Sequence, residues 1–512
     1  MNNIEILKQN IKGAIKEIGI SIDVLNDKGF GRMYAKAFKD ILRFNVTNKL
    51  WYYYNGKVWE KDLENMNARR LAKLFSDELI AYSDELTLEK SVIDKILSLN
   101  GKGKRDTIIE DAKCEYTVKT EDFDTNIYLL NLQNGTLDLK TFELRPHNAD
   151  DMLSKICNAS YYENARSERW ERCINEVTEG DTEKSMFLQR ILGFCLTGDV
   201  KEEEFYILYG PTSRNGKSTV LETISHLLGG TDGYAVNVAK ETFSGKTTRS
   251  GSGANGDIAR LAGARMAVTS EFPPNMSVNT ELIKTLTGRD KITARKIYEK
   301  EIEFYPQFKL FINTNYLPCI NDDTLFESNR VNVIEFNKHF TEEEQDKELK
   351  TLLRKEDNLN GILNWLLEGL RLSREQGMIP PQSVIEATAR FRKNCDKIGC
   401  FIDECLENTG KNMTMKDLYE VYRIWSVGNG YAYERKYRFK DILKNKHILQ
   451  PTGTINGNTY SNVIIGYTLK PEYQSVISKT HTPQQASPQN ISVQTEYTPR
   501  PPRVEADPTE IF

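Results

Sequence analysis

Long apolar runs and paired metal-ligand cysteines are both missing from this sequence. No stretch approaches the roughly 20 apolar residues of a membrane-spanning helix, and the polar N-terminus lacks the apolar core of a signal peptide. Cys395, Cys400 and Cys405 recur every five residues, a spacing that does not keep them on one helix face. Free thiols in a reducing cytosol are therefore favoured over a zinc site, and we expect a cytoplasmic protein.

A large excess of basic charge is also absent, because the formal net charge is −4. Any surface that binds nucleic acid would have to be local. Two segments are basic enough, namely residues 289–300 (RDKITARKIYEK) and residues 434–447 (ERKYRFKDILKNKH). The length of 512 residues predicts about two to four domains rather than one.

The first 200 residues mix helical periodicity with two hairpin patterns. Residues 1–110 are predicted to form an N-terminal α+β domain, in which aromatic runs flank the turn pair Asn55-Gly56. Residues 111–200 are predicted to form a mostly helical collar domain. A second hairpin is expected there at residues 128–139.

The remaining chain divides into four predicted segments. Apolar strands alternate with helical stretches over residues 201–345, which predicts a parallel sheet with crossover helices. Residues 346–410 are predicted to be helical. Residues 411–471 are typical of a winged-helix unit, because two helical stretches precede a polar hairpin. Residues 472–512 are rich in Ser, Thr, Pro and Gln and are predicted to be disordered.

The segment 209–219 (YGPTSRNGKST) has the pattern of a phosphate-binding loop between a buried strand and a helix. Backbone N–H groups at the helix N-terminus would bind phosphates. Lys217 would reach the β- and γ-phosphates of ATP, and Ser218 would ligate Mg²⁺. The predicted nucleotide-binding set is Gly210, Asn215, Gly216, Lys217, Ser218 and Thr219.

This loop departs from the usual pattern in its length. Five residues, rather than four, separate Gly210 from Gly216. Either the loop has one extra residue, or Gly210 is not the equivalent of the first glycine. A simple glycine-containing turn before a helix is the alternative interpretation of the whole segment.

Three further residues are candidates for the catalytic site. Glu271 ends a second apolar run, where a carboxylate can orient the attacking water or hold Mg²⁺. Asn315 ends a third, where an amide can contact both the γ-phosphate and the water. Arg330 precedes another β-prone run and could stabilise transition-state charge in a neighbouring subunit. The alternatives are a capping glutamate, a turn asparagine and a surface arginine.

Taken in order, these motifs resemble superfamily 3 helicases, specifically the helicase part of the phage and plasmid primase family, which is related to poxviral primase–helicases. The resemblance includes residues 215–219, 265–271, 283–295, 304–306, 315–318 and 330–336, and it extends upstream through 134–139 and 192–198. It covers roughly residues 50–470 and implies a phage or mobile genetic element as the source, hence a bacterial host cytoplasm.

The resemblance implies an AAA+-like P-loop ATPase core, α/β in class, with the collar region before it and the winged helix after it. It implies a hexameric ring that hydrolyses ATP with Mg²⁺ between subunits and translocates 3′→5′ on DNA. Lys217, Ser218 and Glu271 would act in one subunit, with Ser218 and Glu271 near the metal. Asn315 would be the sensor, and Arg330 would reach in from the neighbour.

The resemblance also implies how DNA is held. The segment between Ile292 and Phe304 matches a hairpin that projects into the central pore, where Arg295, Lys296 and Lys300 would contact backbone phosphates. In the winged-helix segment, duplex DNA would contact the basic residues Arg435, Lys436, Arg438 and Lys440. A solvated helix face is the alternative for both segments.

Some features depart from that family's pattern. The second strand ends in Ser270-Glu271 rather than in two acids, so Mg²⁺ would be held mainly by Ser218 and water. Gly288-Arg289-Asp290 replaces a Gly-Gly-Asp motif. No zinc-knuckle cysteine set precedes the collar, and we do not expect primase activity in this chain.

Two functions from different classes remain open at this point. The first is a replicative DNA helicase. The second is an origin-binding initiator or loader, in which ATP controls assembly and hydrolysis is incidental. A translocating helicase needs the basic pore hairpin, whereas a loader does not. A P-loop kinase for small molecules is disfavoured by the large flanking segments.

Overall fold

The computed structural model describes residues 4–230, 233–245, 255–274, 276–295, 301–320, 322–429, 431 and 433–474. Its contacts divide the chain into two compact units, residues 1–396 and 397–512. The finer division into six segments stays a prediction. Most of the segment predicted to be disordered, residues 475–512, lies outside the described residues. In the part of the chain that is described, no helix has both the length and the apolar character needed to cross a membrane.

The N-terminal part of the first unit packs helices against a small antiparallel sheet. Its helices are α1 (Ile4–Ile18), α2 (Asp27–Ala37), α3 (Met66–Asp84), α4 (Lys90–Leu97) and α5 (Lys102–Asp111), and its strands are β1 (Leu42–Asn45), β2 (Leu50–Tyr54) and β3 (Trp59–Lys61). Tyr54 pairs with Trp59, so the predicted aromatic hairpin is confirmed. The Asn55 side chain accepts hydrogen bonds from the N–H groups of Lys57 and Val58, which closes the turn.

The next part contains a second antiparallel sheet followed by two helices. The strands are β4 (Leu129–Leu132), β5 (Gly135–Asp138) and β6 (Glu143–Arg145), and the helices are α6 (Glu168–Val177) and α7 (Thr182–Phe194). Leu132 pairs with Gly135, which confirms the second predicted hairpin. Helix α6 begins at the N-cap Ser167, whose side chain accepts a hydrogen bond from the Trp170 N–H.

A five-stranded parallel sheet forms the centre of the first unit, as the alternating pattern predicted. Its elements in chain order are β7 (Phe205–Tyr209), α8 (Lys217–Leu227), β8 (Ala235–Asn237), α9 (Gly256–Ala259), β9 (Met266–Ser270), α10 (Thr280–Thr287), β10 (Ile292–Arg295), β11 (Glu301–Phe304), β12 (Lys309–Thr314), α11 (Thr324–Glu327) and β13 (Val331–Glu335). The strand order is β13-β7-β12-β9-β8, and β10 pairs with β11 as a separate hairpin. The chain is therefore of mixed α/β class.

Strand β7 is buried on both faces of this sheet. Tyr206 and Leu208 belong to the core that also contains α7, whereas Phe205 and Ile207 belong to the core on the opposite face. A continuous apolar run is typical of such a doubly covered parallel strand. The helices after the sheet are α12 (Leu349–Leu353), α13 (Glu356–Gln376) and α14 (Gln382–Cys395).

Two buried cations lie at the edge of the sheet where β9 and β12 begin. Arg265 is 1% exposed and donates hydrogen bonds to the carbonyls of Leu129 and Leu196. Lys309 is 4% exposed and donates to the carbonyls of Thr197, at 2.6 Å, and Asp199, at 3.1 Å. These bonds fix the sheet against the segment that precedes it, because a buried cation must keep its partners.

The second unit contains a separate core. Its elements are α15 (Lys397–Cys405), β14 (Leu406–Asn408), β15 (Met413–Thr414), α16 (Met415–Gly428), α17 (Lys436–Asn445), β16 (Leu449–Ile455), β17 (Asn458–Ile464) and β18 (Tyr467–Leu469). Phe439 of α17 stacks on Tyr422 of α16, with ring centroids 4.2 Å apart. The two helices and the polar hairpin β16–β17 lie where the sequence predicted them. The winged-helix assignment itself stays a prediction.

Candidate nucleotide-binding site

The loop from Gly210 to Gly216, called the phosphate loop here after its sequence pattern, lies at the carboxyl edge of the parallel sheet, between β7 and α8. Gly216 is the N-cap of α8 and has φ +83°, and a Cβ on it would overlap the Val177 side chain of α6. Gly210 has a different constraint, since a Cβ there would overlap the Asn215 side chain. Asn215 in turn donates to the Thr212 carbonyl at 2.7 Å. Both glycines are thus required by close packing.

The five residues between the two glycines are held by contacts inside and outside the loop. The Asn215 amide closes the loop on itself, and Arg214 adopts φ +58° beside it. The tip is also bonded to the segment after β13. The Phe340 N–H donates to the Arg214 carbonyl at 2.9 Å, and His339 Nδ1 lies 2.9 Å from the Ser213 carbonyl oxygen. The segment after β13 therefore holds the tip of the loop at two neighbouring residues, Ser213 and Arg214.

Lys217 is the first residue of α8 and is 4% exposed. Its ammonium donates to Asn215 Oδ1 at 2.8 Å and to Asn315 Oδ1 at 2.7 Å. Burial lowers the pKa of Lys217 to about 8. The amide partners are neutral, so the positive charge has no carboxylate partner among these contacts. An anion at this position would supply the missing charge.

Asn313 is a site residue that the sequence interpretation missed. Its side chain donates to the Ser218 hydroxyl at 2.9 Å. Asn313 and Asn315 lie two residues apart at the end of β12, a spacing that places both on one side of a strand. The Asn-Thr-Asn pattern at the end of an apolar run was the available indication, and only Asn315 was selected from it.

Glu271 directly follows β9 at the same edge. Its backbone has φ +62°, and its N–H donates to the Asn313 carbonyl at 2.9 Å. This contact joins the end of β9 to the end of β12. A glutamate in this left-handed conformation is uncommon, and such strain is frequent at functional sites.

A cavity of about 1020 Å³ joins these groups, and Lys217, Ser218, Glu271, Asn313 and Asn315 all line it. Arg354 also lines it, although the sequence interpretation assigned no role to that residue. Among the described residues, no group of three or more His, Cys, Asp or Glu could hold a metal ion. One hydroxyl and one carboxylate fit Mg²⁺ nevertheless, because Mg²⁺ is commonly bound by few protein ligands together with phosphates and water.

Arg330 lies at the other end of the parallel strands, where they begin. It precedes Val331, which pairs with Phe205 at the start of β7, whereas the phosphate loop follows the end of that strand. At about 3.3 Å per residue, β7 alone separates them by about 13 Å. The Arg330 guanidinium pairs with Glu203, which also lies 3.4 Å from Arg289 Nε. Arg330 therefore does not join Lys217 and Glu271 within one chain.

The segment predicted to form a pore hairpin contains the antiparallel strand pair β10 and β11, and its place in a pore stays a prediction. Ile292 pairs with Phe304, and Arg295 pairs with Glu301 across the antiparallel ladder. Arg295 is exposed. Lys296 and Lys300, the two other predicted DNA contacts of this hairpin, lie outside the described residues.

The basic residues of the second unit lie on or next to α17. Arg435, Lys436 and Arg438 are exposed, and Lys440 is half-buried. Arg438 Nε lies 3.5 Å from Glu434, so part of its charge is locally balanced. Tyr437 between them is 65% exposed, whereas Phe439 is fully buried. The helix thus presents one basic aromatic face and one apolar face.

Comparison with known families finds two regions of similarity. The family described as "D5 N terminal like" matches residues 31–179, and a family of unknown function, DUF5906, matches residues 208–330. The second match contains the phosphate loop, Glu271, Asn315 and Arg330. The two matches therefore cover the region before the parallel sheet and most of the sheet itself.

Related viral proteins carry helicase names. The chain is 29% identical over 518 residues to "Putative helicase L207/L206" of Acanthamoeba polyphaga mimivirus, which covers 91% of this chain and 52% of the relative. It is 30% identical over 244 residues to "Putative helicase 022R" of Frog virus 3 (isolate Goorha), which covers 44% of this chain and 25% of the relative. The chain spans about half or less of the length of these curated relatives.

Among solved structures, the apo structure of the NrS-1 C-terminal region (305–718) matches 83% of this chain and 96% of that chain, at 11% identity and a TM-score of 0.49. The match to the "D5 N terminal like" family and the helicase names of the viral relatives support the resemblance that the motifs indicated. The chain is similar to viral proteins that are named putative helicases.

Proposed function

We propose that this chain is an ATP-dependent replicative DNA helicase of superfamily 3, which forms a ring and translocates 3′→5′ on single-stranded DNA. The observation that carries the proposal is the placement of Lys217, which is buried, held by two amides and without a carboxylate partner among its contacts. A charge arranged in this way at a helix N-terminus is suited to a polyphosphate. The helicase names of the viral relatives direct the proposal toward DNA.

Each residue of the site has a role in this proposal. Backbone N–H groups of residues 215–219 and the Lys217 ammonium bind the β- and γ-phosphates. Ser218, oriented by Asn313, and Glu271 hold Mg²⁺, which neutralises charge on the phosphates when bound. Glu271 also orients the attacking water, and Asn315 contacts the γ-phosphate from the Lys217 side.

The position of Arg330 supports a ring. Within one chain it lies at the sheet edge away from the phosphate loop, so it could act on ATP only in a neighbouring subunit. A homo-oligomer, hexameric by resemblance, would bring it to that site. The parallel order of the strands supports the AAA+-like core in which such shared sites occur.

DNA would be contacted at two places. The β10–β11 hairpin would place Arg295, with Lys296 and Lys300, in the ring's pore against backbone phosphates. The second unit, as a winged helix, would bind origin duplex through Arg435, Lys436, Arg438 and Lys440, so the ring could load itself. The exposed Tyr437 beside these cations is suited to a nucleic-acid surface.

Strand displacement on a fork with a 3′ tail tests the proposal. Lys217→Ala should abolish unwinding and ATP hydrolysis, whereas Lys61→Ala, at an exposed residue of β3, should leave both unchanged. A fork with only a 5′ tail should not be unwound. Wild-type protein that neither hydrolyses ATP nor separates a 3′-tailed fork would contradict the proposal.

The alternative function is an origin-binding initiator or loader in which ATP controls assembly. The exposed basic face of α17 favours it, because origin binding needs such a surface whether or not the ring translocates. Lys296→Ala separates the two functions. A helicase with this change should stop unwinding and keep part of its ATP hydrolysis, whereas a loader should be unaffected.

A further inference from the structure

A second cavity lies on the other side of the phosphate loop. It is an open cleft with a volume of about 250 Å³. Gly216 and Thr219 line it, whereas the intervening Lys217 and Ser218 line the phosphate cavity. Arg214 lines both. A ligand whose phosphates lie on the loop could therefore place its remaining part in this second cavity.

The walls of the second cavity are apolar and aromatic close to the loop. Val177 and Cys173 of α6 are buried, and Leu349 begins α12 on another side. The Phe340 ring lies beside the loop, since a Cβ on Gly216 would be 3.8 Å from Phe340 Cε2. Phe340 is only half-buried, and the Lys338 ammonium lies over its ring, 5.3 Å from the centroid. One face of the ring is then left for stacking. Charged side chains, among them Arg169, Glu176, Asp346 and Lys350, line the rest of the cavity. The apolar side chains and the aromatic ring beside the loop are suited to a nucleobase.

One amide in this cavity has a fixed orientation. The Gln345 side-chain NH₂ donates to the Phe340 carbonyl at 2.9 Å and to the Thr341 carbonyl at 3.0 Å. Both donors are thus used by the backbone, and the remaining polar atom, Oε1, can only accept. Adenine presents an exocyclic NH₂ donor where guanine presents a carbonyl acceptor. An acceptor at this place favours adenine.

We propose that this second cavity is the nucleobase site, in which Phe340 stacks on the base and Gln345 Oε1 selects adenine over guanine. The inference rests on the proposed function, because it assumes that the loop binds a nucleotide. The hydrogen bond from the Phe340 N–H to the Arg214 carbonyl links the base site directly to the tip of the phosphate loop. Base recognition would therefore also stabilise the longer loop.

Displacement of a fluorescent ATP analogue from the full chain tests this assignment without using hydrolysis. ATP, GTP and inorganic tripolyphosphate serve as competitors, because tripolyphosphate has no base. Phe340→Ala should lower the affinity for ATP on the order of 10-fold to 100-fold and leave the affinity for tripolyphosphate unchanged. Phe340→Trp should keep wild-type affinity for ATP. Gln345→Met should bring the ATP and GTP affinities together, with a loss for ATP of about 10-fold.

The outcomes separate this inference from the function on which it rests. Lys217→Ala should lower the affinities for ATP, GTP and tripolyphosphate alike, since Lys217 contacts the phosphates that all three share. If Phe340→Ala weakens tripolyphosphate as much as ATP, or if both pocket variants bind ATP like the wild type, the nucleobase site is wrong and the proposed function stands. If the wild type binds neither ATP nor tripolyphosphate, both are overturned.

Discussion

The side-chain amide of Asn215 lies against the α-carbon of Gly210, at the point where any other residue would place its Cβ. That Cβ would also be 2.8 Å from the Phe336 carbonyl oxygen. The first glycine of the loop is therefore needed for packing, and Asn215 occupies the space it leaves. The extra loop residue is accommodated around this contact.

Gly210→Ala should therefore disturb the loop. We expect nucleotide affinity to fall at least 10-fold and the free energy of unfolding to fall by about 1–3 kcal/mol, as in other overpacked sites. Nucleotide titration and urea unfolding measure the two effects. Gly13→Ala is the control, because nothing lies within 4 Å of its added Cβ in α1, and it should stabilise slightly. Wild-type affinity in Gly210→Ala would contradict the packing argument.

Asn313 should matter through the Ser218 hydroxyl. Asn313→Ala removes the hydrogen bond that orients this hydroxyl, so the Mg²⁺ concentration for half-maximal ATP hydrolysis should rise several-fold. The fluorescence titration with tripolyphosphate in the absence of metal should not change. An unchanged Mg²⁺ requirement would assign Asn313 a purely structural role.

The pKa of Lys217 makes phosphate binding depend on pH. Burial lowers this pKa to about 8, so above pH 8 the free protein loses the positive charge. Bound phosphates favour the charged form, and binding at pH 8.5 should take up about three quarters of a proton. Calorimetry in two buffers of different ionisation enthalpy measures this uptake, which should vanish at pH 6.5 and in Lys217→Met. Binding without proton uptake at pH 8.5 would disprove the assignment.

The same shift has an opposite consequence for stability. Between pH 8 and about 10.5 the unfolded chain holds a proton on Lys217 that the folded chain has lost. The contribution of this group to the free energy of unfolding therefore rises with pH in that window. Stability and phosphate affinity should move in opposite directions there.

Arg330 should act in trans. Arg330→Ala should lower the turnover number by about 10³-fold or more while ATP affinity remains. Mixing Arg330→Ala with Lys217→Ala should restore part of the activity, since a mixed ring contains interfaces with both residues intact. Arg289→Ala, which removes the other cation near Glu203, should have a smaller effect. No recovery on mixing would contradict a shared site.

The second unit should bind duplex DNA through charge. Replacing Arg435, Lys436 and Arg438 together with alanine should weaken DNA binding. It should also make the slope of log affinity against log salt concentration shallower, by the equivalent of up to about three phosphate contacts. Lys411→Ala with Lys416→Ala is the control, because both lysines are exposed and belong to the same unit but not to α17. Equal affinity of the triple variant and the control would remove this surface from the proposal.

Local patterns in the sequence were sufficient for much of the fold. The apolar run before the phosphate loop predicted a buried strand, and Asn55-Gly56 predicted a hairpin, because burial and turn geometry act over a few residues. The structure shows in addition that this strand, β7, is buried on both faces. The phosphate loop was recognisable for the same reason. The predicted ends of the strands also placed Glu271 and Asn315 at one edge of a parallel sheet.

Only the tertiary structure decided which groups meet across that edge. The strand order puts β12 beside β7, which brings Asn315 to Lys217 and Asn313 to Ser218. It also takes Arg330 to the opposite edge, next to Glu203. Phe340 and Gln345 gain a candidate role only because residues 339 and 340 return to the loop tip. The sequence determined each strand and loop, since those depend on neighbours along the chain, whereas the site depends on contacts between residues about 100 positions apart.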